Sequence, residues 1–169
     1  MIVWVTGLSG AGKTTIATKV YEEYKKLNKH TVFLDGDILR EVLGASGYTY
    51  MQRYEQAIKI HNLCKMLDAQ GIDVICATMS LFHDVQHKNR EKFKNYLEIY
   101  IKVDMEELIR RDQKGIYSGA LNGTTQNVVG IDVKCEEPLR PDLIINNNEL
   151  NNLEDKAQSI IELMTREED

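Results

Sequence analysis

The chain of 169 residues is poor in cysteine, in net positive charge and in long apolar runs. Its three cysteines (Cys64, Cys76 and Cys135) are odd in number, widely spaced and form no C-x-x-C pair. That argues against a disulfide framework or a cysteine zinc site and leaves buried free thiols in a reducing compartment. A formal net charge of −5 argues against a nucleic-acid partner held on a broad basic face. An anionic ligand must then be held by a local cluster of donors. No apolar segment approaches the ~20 residues that cross a bilayer, so no membrane partner is expected. The first residues read as a core strand rather than as a charged region followed by a long apolar run. No signal peptide is expected, and the chain reads as cytoplasmic. There is no internal repeat and no low-complexity tract.

With 43% apolar and 28% charged residues, the composition is that of a soluble globular protein. The length suits one domain, expected over 1–169. Short apolar runs at 2–5, 31–34, 73–77, 97–103 and 143–145 read as strands. Helical patterns occupy 13–27, 38–43, 51–70, 85–96, 105–111 and 150–164. Such alternation predicts an α/β fold with a parallel sheet covered on both faces. Ligands then bind at the carboxyl ends of the strands. From Gly115 to Glu137 there are four glycines and no clear period. A loop of this length in a compact domain reads as a lid, with plain disorder as the alternative. The acidic end at 165–169 reads as a solvated tail. His83 and His87 share a helical face but lack a third ligand for a metal.

The run "GLSGAGKTT" fits G-x-x-x-x-G-K-[ST] and lies between an expected strand and an expected helix. Its members are Gly7, Ser9, Gly10, Ala11, Gly12, Lys13, Thr14 and Thr15. Glycines let successive N–H groups converge on phosphate oxygens, and the helix start adds its positive end. Lys13 reaches the β- and γ-phosphates, and the Thr14 hydroxyl is the candidate Mg²⁺ ligand. The expected ligand is ATP with Mg²⁺.

A GTPase is disfavoured. The D-x-x-G at Asp68–Gly71 precedes the third strand rather than following it, and N-K-x-D is absent. The acids stand instead in "LDGDILR", residues 34–40. Asp35 ends the second expected strand, and Asp37 opens the next helix with Arg40 one turn on. Two carboxylates and an arginine beside a P-loop suit phosphoryl transfer to a hydroxyl. Asp35 would orient or deprotonate that hydroxyl, or hold Mg²⁺ through water. The alternative is an N-cap at Asp37 beside a surface ion pair.

"GLSGAGKTT", "DGDILR", "GYTYMQRYEQ", "ICATMS", "RRDQKGIY", "GIDVKCEEP" and "RPDLIINN", in this order, resemble the adenylylsulfate kinases over nearly the whole chain. The resemblance implies a three-layer P-loop kinase with about five parallel strands, a mobile lid and a homodimer. It implies transfer from ATP to the ribose 3′-hydroxyl of adenosine 5′-phosphosulfate. It sets Arg40 and Arg53 at the acceptor's phosphate end and Tyr48 against its base. Ser80, on the acceptor side, sits where some members carry a phosphorylatable serine. Arg111 and Lys114 open the lid and approach the donor (ATP) and acceptor nucleotides respectively, and Ile131, on the acceptor side, lies with Asp132 in its closing part.

The departures gather around the acceptor. A base-sandwiching Phe is Val128, an asparagine is Gln56, and the lid stretch 118–126 carries no charge. These changes resemble the cytidine diphosphoramidate kinases of bacterial capsule synthesis, because a pyrimidine needs less stacking area. An adenylylsulfate acceptor is the alternative. A non-catalytic nucleotide-binding regulator is a third reading, disfavoured by the intact Lys13 and Asp35.

Overall fold

The computed structural model describes residues 1–166, apart from the side chain of Gln113; the end of the expected tail, 167–169, lies outside the described residues. The strands are β1 (Ile2–Thr6), β2 (Thr31–Asp35), β3 (Asp73–Ala77), β4 (Tyr96–Lys102) and β5 (Leu143–Asn146). The helices are α1 (Lys13–Leu27), α2 (Gly36–Val42), α3 (Tyr50–Asp68), α4 (His83–Lys92), α5 (Met105–Arg111), α6 (Ile116–Leu121) and α7 (Leu153–Met164).

Strand β1 is buried along its whole length. A parallel strand covered on both faces needs apolar side chains pointing both ways. Val3 and Val5 accordingly pack with Ile16 and Val20 of α1 and Ile160 of α7. Ile2 and Trp4 pack with Ile60 and Cys64 of α3 and with Val85 of α4. Strand β3 divides the same way, with Ile75 and Ala77 on the first face and Val74 and Cys76 on the second. The two apolar clusters are thus the two faces of one sheet.

The sheet order is β2-β3-β1-β4-β5, with every pair parallel. From β1 the chain crosses over β3 to β2, returns to β3, then passes to β4 on the other side. The connections diverge beyond the carboxyl end of β1, where a crevice forms. The loop after β1, the tip of β2 and the chain after β3 all open there.

Helices α1 and α5 and strand β3 have the expected bounds. Four expectations need correction. Helix α2 starts at Gly36 rather than Ile38, because the Asp35 carboxylate accepts from the N–H groups of Asp37 (2.8 Å) and Ile38 (3.2 Å). Helix α4 runs 83–92 rather than 85–96. Phe93 turns to extended backbone and buries itself on the α3 face, which frees Tyr96 to pair with Ile2. Helix α7 begins at Leu153 rather than Leu150, after Asn152 in the left-handed region (φ 50°). The 115–137 stretch contains a helix, α6. The Asp112 carboxylate accepts from the N–H groups of Tyr117 (2.9 Å) and Ser118 (3.0 Å), and Tyr117 is buried.

Candidate active site

Residues 7–12 wrap from β1 into α1. At Gly12 φ is 94°, and a Cβ there would stand 2.5 Å from the Asn147 amide nitrogen. At Gly7 a Cβ would stand 2.5 Å from the Ile101 carbonyl oxygen. Only glycine satisfies both positions. The loop is braced from outside. Asn147 Nδ2 donates to Ala11 O (2.7 Å), and Tyr117 Oη donates to Ser9 O (2.8 Å). Arg111 donates to Gly10 O (3.4 Å) and to the carbonyls of Asn147 (2.6 Å) and Asn148 (2.8 Å), while Glu107 accepts from its Nε (2.7 Å). Gly12 gives α1 no side-chain cap, so the first N–H groups of the helix stay available to an anion. Thr15 is exposed in that first turn.

Lys13 and Thr14 face the tip of β2. Lys13 Nζ donates to Leu8 O (2.8 Å). Its pKa is lowered to about 8, chiefly by burial, against the opposing pull of Asp37 and Asp35. Thr14 Oγ1 donates to Asp35 Oδ2 (2.8 Å). The two carboxylate oxygens of Asp35 therefore do different things: Oδ1 caps α2 and Oδ2 meets Thr14. The capping role anticipated at Asp37 belongs to Asp35. Asp37 is exposed and pairs with Lys114 of the lid (2.7 Å), which holds the carboxylate below its usual pKa. A threonine hydroxyl beside a carboxylate is a hard-oxygen set that suits Mg²⁺ sharing phosphate oxygens and waters.

These groups line a cavity of about 440 Å³. Ser9, Lys13, Thr14, Asp35 and Asp37 form one side. Arg40, Tyr48, Arg53 and Gln56 form another, and Ala77, Thr78 and Met79 follow β3 into the wall. The lid contributes Lys114–Ile116 and Thr125–Val129. Both arginines lie over the Tyr48 ring, with guanidinium carbons 4.3 Å (Arg40) and 5.1 Å (Arg53) from its centroid. Arg40 also donates to Gly47 O (2.5 Å), and Arg53 to Tyr48 O (2.8 Å) and Asn127 O (2.8 Å). Arg53 thereby ties the Tyr48 loop to the lid. Val128 is buried at 4% exposure, and the Asp132 carboxylate accepts from the N–H groups of Asn127 (2.7 Å) and Val128.

Most of the anticipated residues are brought together, and Ser80, Ile131 and Arg111 are not part of the cavity wall. Ser80 has no exposed surface and is absent from the cavity wall; its carbonyl accepts from Thr6 Oγ1 (3.4 Å). Its hydroxyl is buried and without a partner among the described residues, so neither acceptor contact nor phosphorylation fits its place. Ile131 stands outside the wall at 38% exposure. Arg111 lies behind the P-loop rather than in the cavity. His83 and His87 turn to Glu137 O (2.8 Å) and Glu91 (3.2 Å) and do not converge. Thr78, Met79, Asn127 and Asn147 were not anticipated. Asn147 sat in an asparagine run that reads as a polar connection, yet it is 3% exposed and braces the P-loop.

Three comparisons bear on this geometry. The family model described as adenylylsulphate kinase matches residues 1–146. A cytidine diphosphoramidate kinase of Campylobacter jejuni is 49% identical over 160 residues, covering 95% of this chain and 94% of that protein. A probable adenylyl-sulfate kinase of Aeropyrum pernix is 35% identical over 169 residues, covering 97% and 92%. Among solved structures, the Mycobacterium tuberculosis APS kinase CysC in complex with AMPPNP and APS superposes with a TM-score of 0.86 at 29% identity, covering 98% of this chain and 97% of that one.

Proposed function

Because the chain belongs to the adenylylsulphate kinase family and is an ATP-dependent phosphotransferase acting on a hydroxyl, we propose that its acceptor is the ribose 3′-hydroxyl of cytidine diphosphoramidate. The observation that carries the site assignment is the Thr14–Asp35 contact, which sets the end of the P-loop against a carboxylate inside the cavity. The P-loop N–H groups and Lys13 hold the β- and γ-phosphates of ATP. Lys13 leaves Leu8 O to do so. Thr14 and, through it, Asp35 are the groups suited to Mg²⁺, which neutralises phosphate charge when bound.

The acceptor enters from the Tyr48 side. Tyr48 stacks on the base, while Arg40 and Arg53 meet the anionic end. The 3′-oxygen forms its bond to the γ-phosphorus as the bond to the β–γ bridging oxygen breaks. ADP leaves, and the hydroxyl proton passes to Asp35 and then to solvent. Asp37 and Lys114 join α2 to the lid over residues 115–137, which excludes water from the γ-phosphate. A homodimer is the assembly this reading expects, measurable by sedimentation velocity, and phosphoramidate-bearing capsule is the product line it serves.

Two features support cytidine over adenine. One wall of the base site is Val128 rather than a second ring, and the lid stretch 118–126 is uncharged. The 49% identity to a cytidine diphosphoramidate kinase points the same way. The second reading, an adenylylsulfate acceptor, is favoured by the similarity to the A. pernix and M. tuberculosis proteins. Incubation with Mg-ATP and each acceptor separates the two, with phosphorus–proton NMR coupling locating the new phosphate. Efficient phosphorylation of adenylylsulfate with none of the cytidine compound would reverse the choice.

A further inference from the structure

Strand β3 delivers Thr78 to the cavity. The residue before it, Ala77, pairs in register with Asp35. The Thr78 N–H donates to Val5 O (3.0 Å), which continues the sheet by one step. The Thr78 backbone is therefore fixed between the strand that leads into the P-loop and the tip of β2. Gly36 packs against it. A Cβ at Gly36 would stand 3.0 Å from Thr78 Oγ1 and 3.0 Å from Ala77 O. The Thr78 hydroxyl thus lies beside the one-residue link between Asp35 and Asp37.

That hydroxyl is free. It makes no hydrogen bond within the described residues, yet its oxygen is not sealed in, unlike Ser80 Oγ and both polar atoms of Gln56. Thr78 is only 6% exposed and lines the cavity, so the surface left to it opens there. Both Asp35 oxygens, in contrast, already accept hydrogen bonds from protein groups. A polar atom with cavity access and no protein partner is completed by a ligand or a water.

Its chemistry and its place narrow the ligand group. A hydroxyl both donates and accepts, and it carries no charge. The anionic parts of a nucleotide are better met by Lys13 and the two arginines. On the acceptor reading, Asp35 faces the ribose 3′-hydroxyl. In ribose the 2′-hydroxyl stands on the adjacent carbon and on the same face of the ring. It is the neutral donor–acceptor group next to the reacting oxygen, as Thr78 is the neutral donor–acceptor group next to Asp35.

We infer that Thr78 is a specificity-determining residue whose hydroxyl pairs with the 2′-hydroxyl of the acceptor and so selects ribonucleotides over 2′-deoxyribonucleotides. The inference rests on the acceptor reading above.

Thr78→Val tests it, because valine keeps the branched shape and removes the hydroxyl. The measurements are kcat/KM for cytidine diphosphoramidate and for its 2′-deoxy analogue, both of which keep the 3′-hydroxyl, and the Tm of the ligand-free protein. The wild type should prefer the ribose form at least fivefold, about 1 kcal/mol. In the valine variant that preference should fall at least fivefold through loss with the ribose form, while the deoxy acceptor is used as before. The Tm should hold, since no protein hydrogen bond is lost. Thr78→Ser keeps the hydroxyl and should keep the preference. A wild-type preference below fivefold overturns the inference, and so does a smaller fall in the variant. An equal loss for both acceptors also overturns it, because it marks a residue that shapes the tip of β3 without reading the sugar. Should the valine variant not fold, Thr78→Ala is read by the same ratio. A wild type that turns over only adenylylsulfate defeats the acceptor reading instead; Thr78 is then judged by the same ratio with adenylylsulfate and its 2′-deoxy analogue.

Discussion

Replacing Asp35 with asparagine separates its two tasks. Oδ1 caps α2 through the N–H groups of Asp37 and Ile38, and Oδ2 accepts from Thr14. Asparagine caps helices about as well as aspartate, so α2 survives with its carbonyl oxygen in the Oδ1 place. The other atom becomes an NH₂ group, which neither takes up the acceptor's proton nor accepts from Thr14. A positioned general base contributes about 10²–10⁴ in rate, so kcat should fall by that factor, roughly 3–5 kcal/mol in barrier. ATP affinity and Tm should change little. Asp35→Ala should lose the same activity and also the cap, costing about 1 kcal/mol and about 2–4 °C in Tm for a chain of this size. The assay is ADP release under saturating acceptor, with ATP binding measured separately by calorimetry. A kcat for Asp35→Asn within threefold of wild type would refute the assignment of Asp35 as base or hydroxyl orienter. A loss confined to ATP affinity would leave it only a metal-binding role.

Other outcomes follow from the same geometry. Burial lowers the Lys13 pKa to about 8 in the ligand-free protein, so the cation is lost as pH rises through that value. ATP binding, titrated between pH 7 and 9, should therefore weaken towards pH 9, and a flat profile would contradict a free Lys13 titrating there. Val128→Phe should shift the kcat/KM ratio towards adenylylsulfate by at least tenfold, because it restores a stacking face worth roughly 1–3 kcal/mol per base. Asn147→Ala strips Ala11 O and Lys156 of a buried partner. It should cost about 1–3 kcal/mol in unfolding free energy and weaken ATP binding through a looser P-loop, read by denaturant titration and calorimetry.

The local patterns of the chain settled a good part of the fold and of the phosphate end of the site. The strand 2–6 is apolar on both faces, and that already requires helices on both sides. The P-loop spacing and the Asp-Gly-Asp at the tip of β2 act over a few residues, where backbone geometry depends on neighbours in sequence. The acceptor end was legible only as a set of departures from a family pattern. Element ends were less legible, because caps such as Asp35 and the burial of Phe93 override a helical period. What only the tertiary structure decided depends on contacts between distant residues. Asn147 reaches Ala11 across 136 positions, so nothing local distinguishes it from the other asparagines of its run. Arg40 and Arg53 meet around Tyr48, and Arg53 reaches Asn127 across 74 positions, because α2, α3 and the lid share one crevice. Ser80 and Gln56 stay buried without a side-chain partner for the same reason. Sequence names the group, but packing alone determines which side of the chain faces the core, which faces the cavity, and which hydrogen bonds remain to be made.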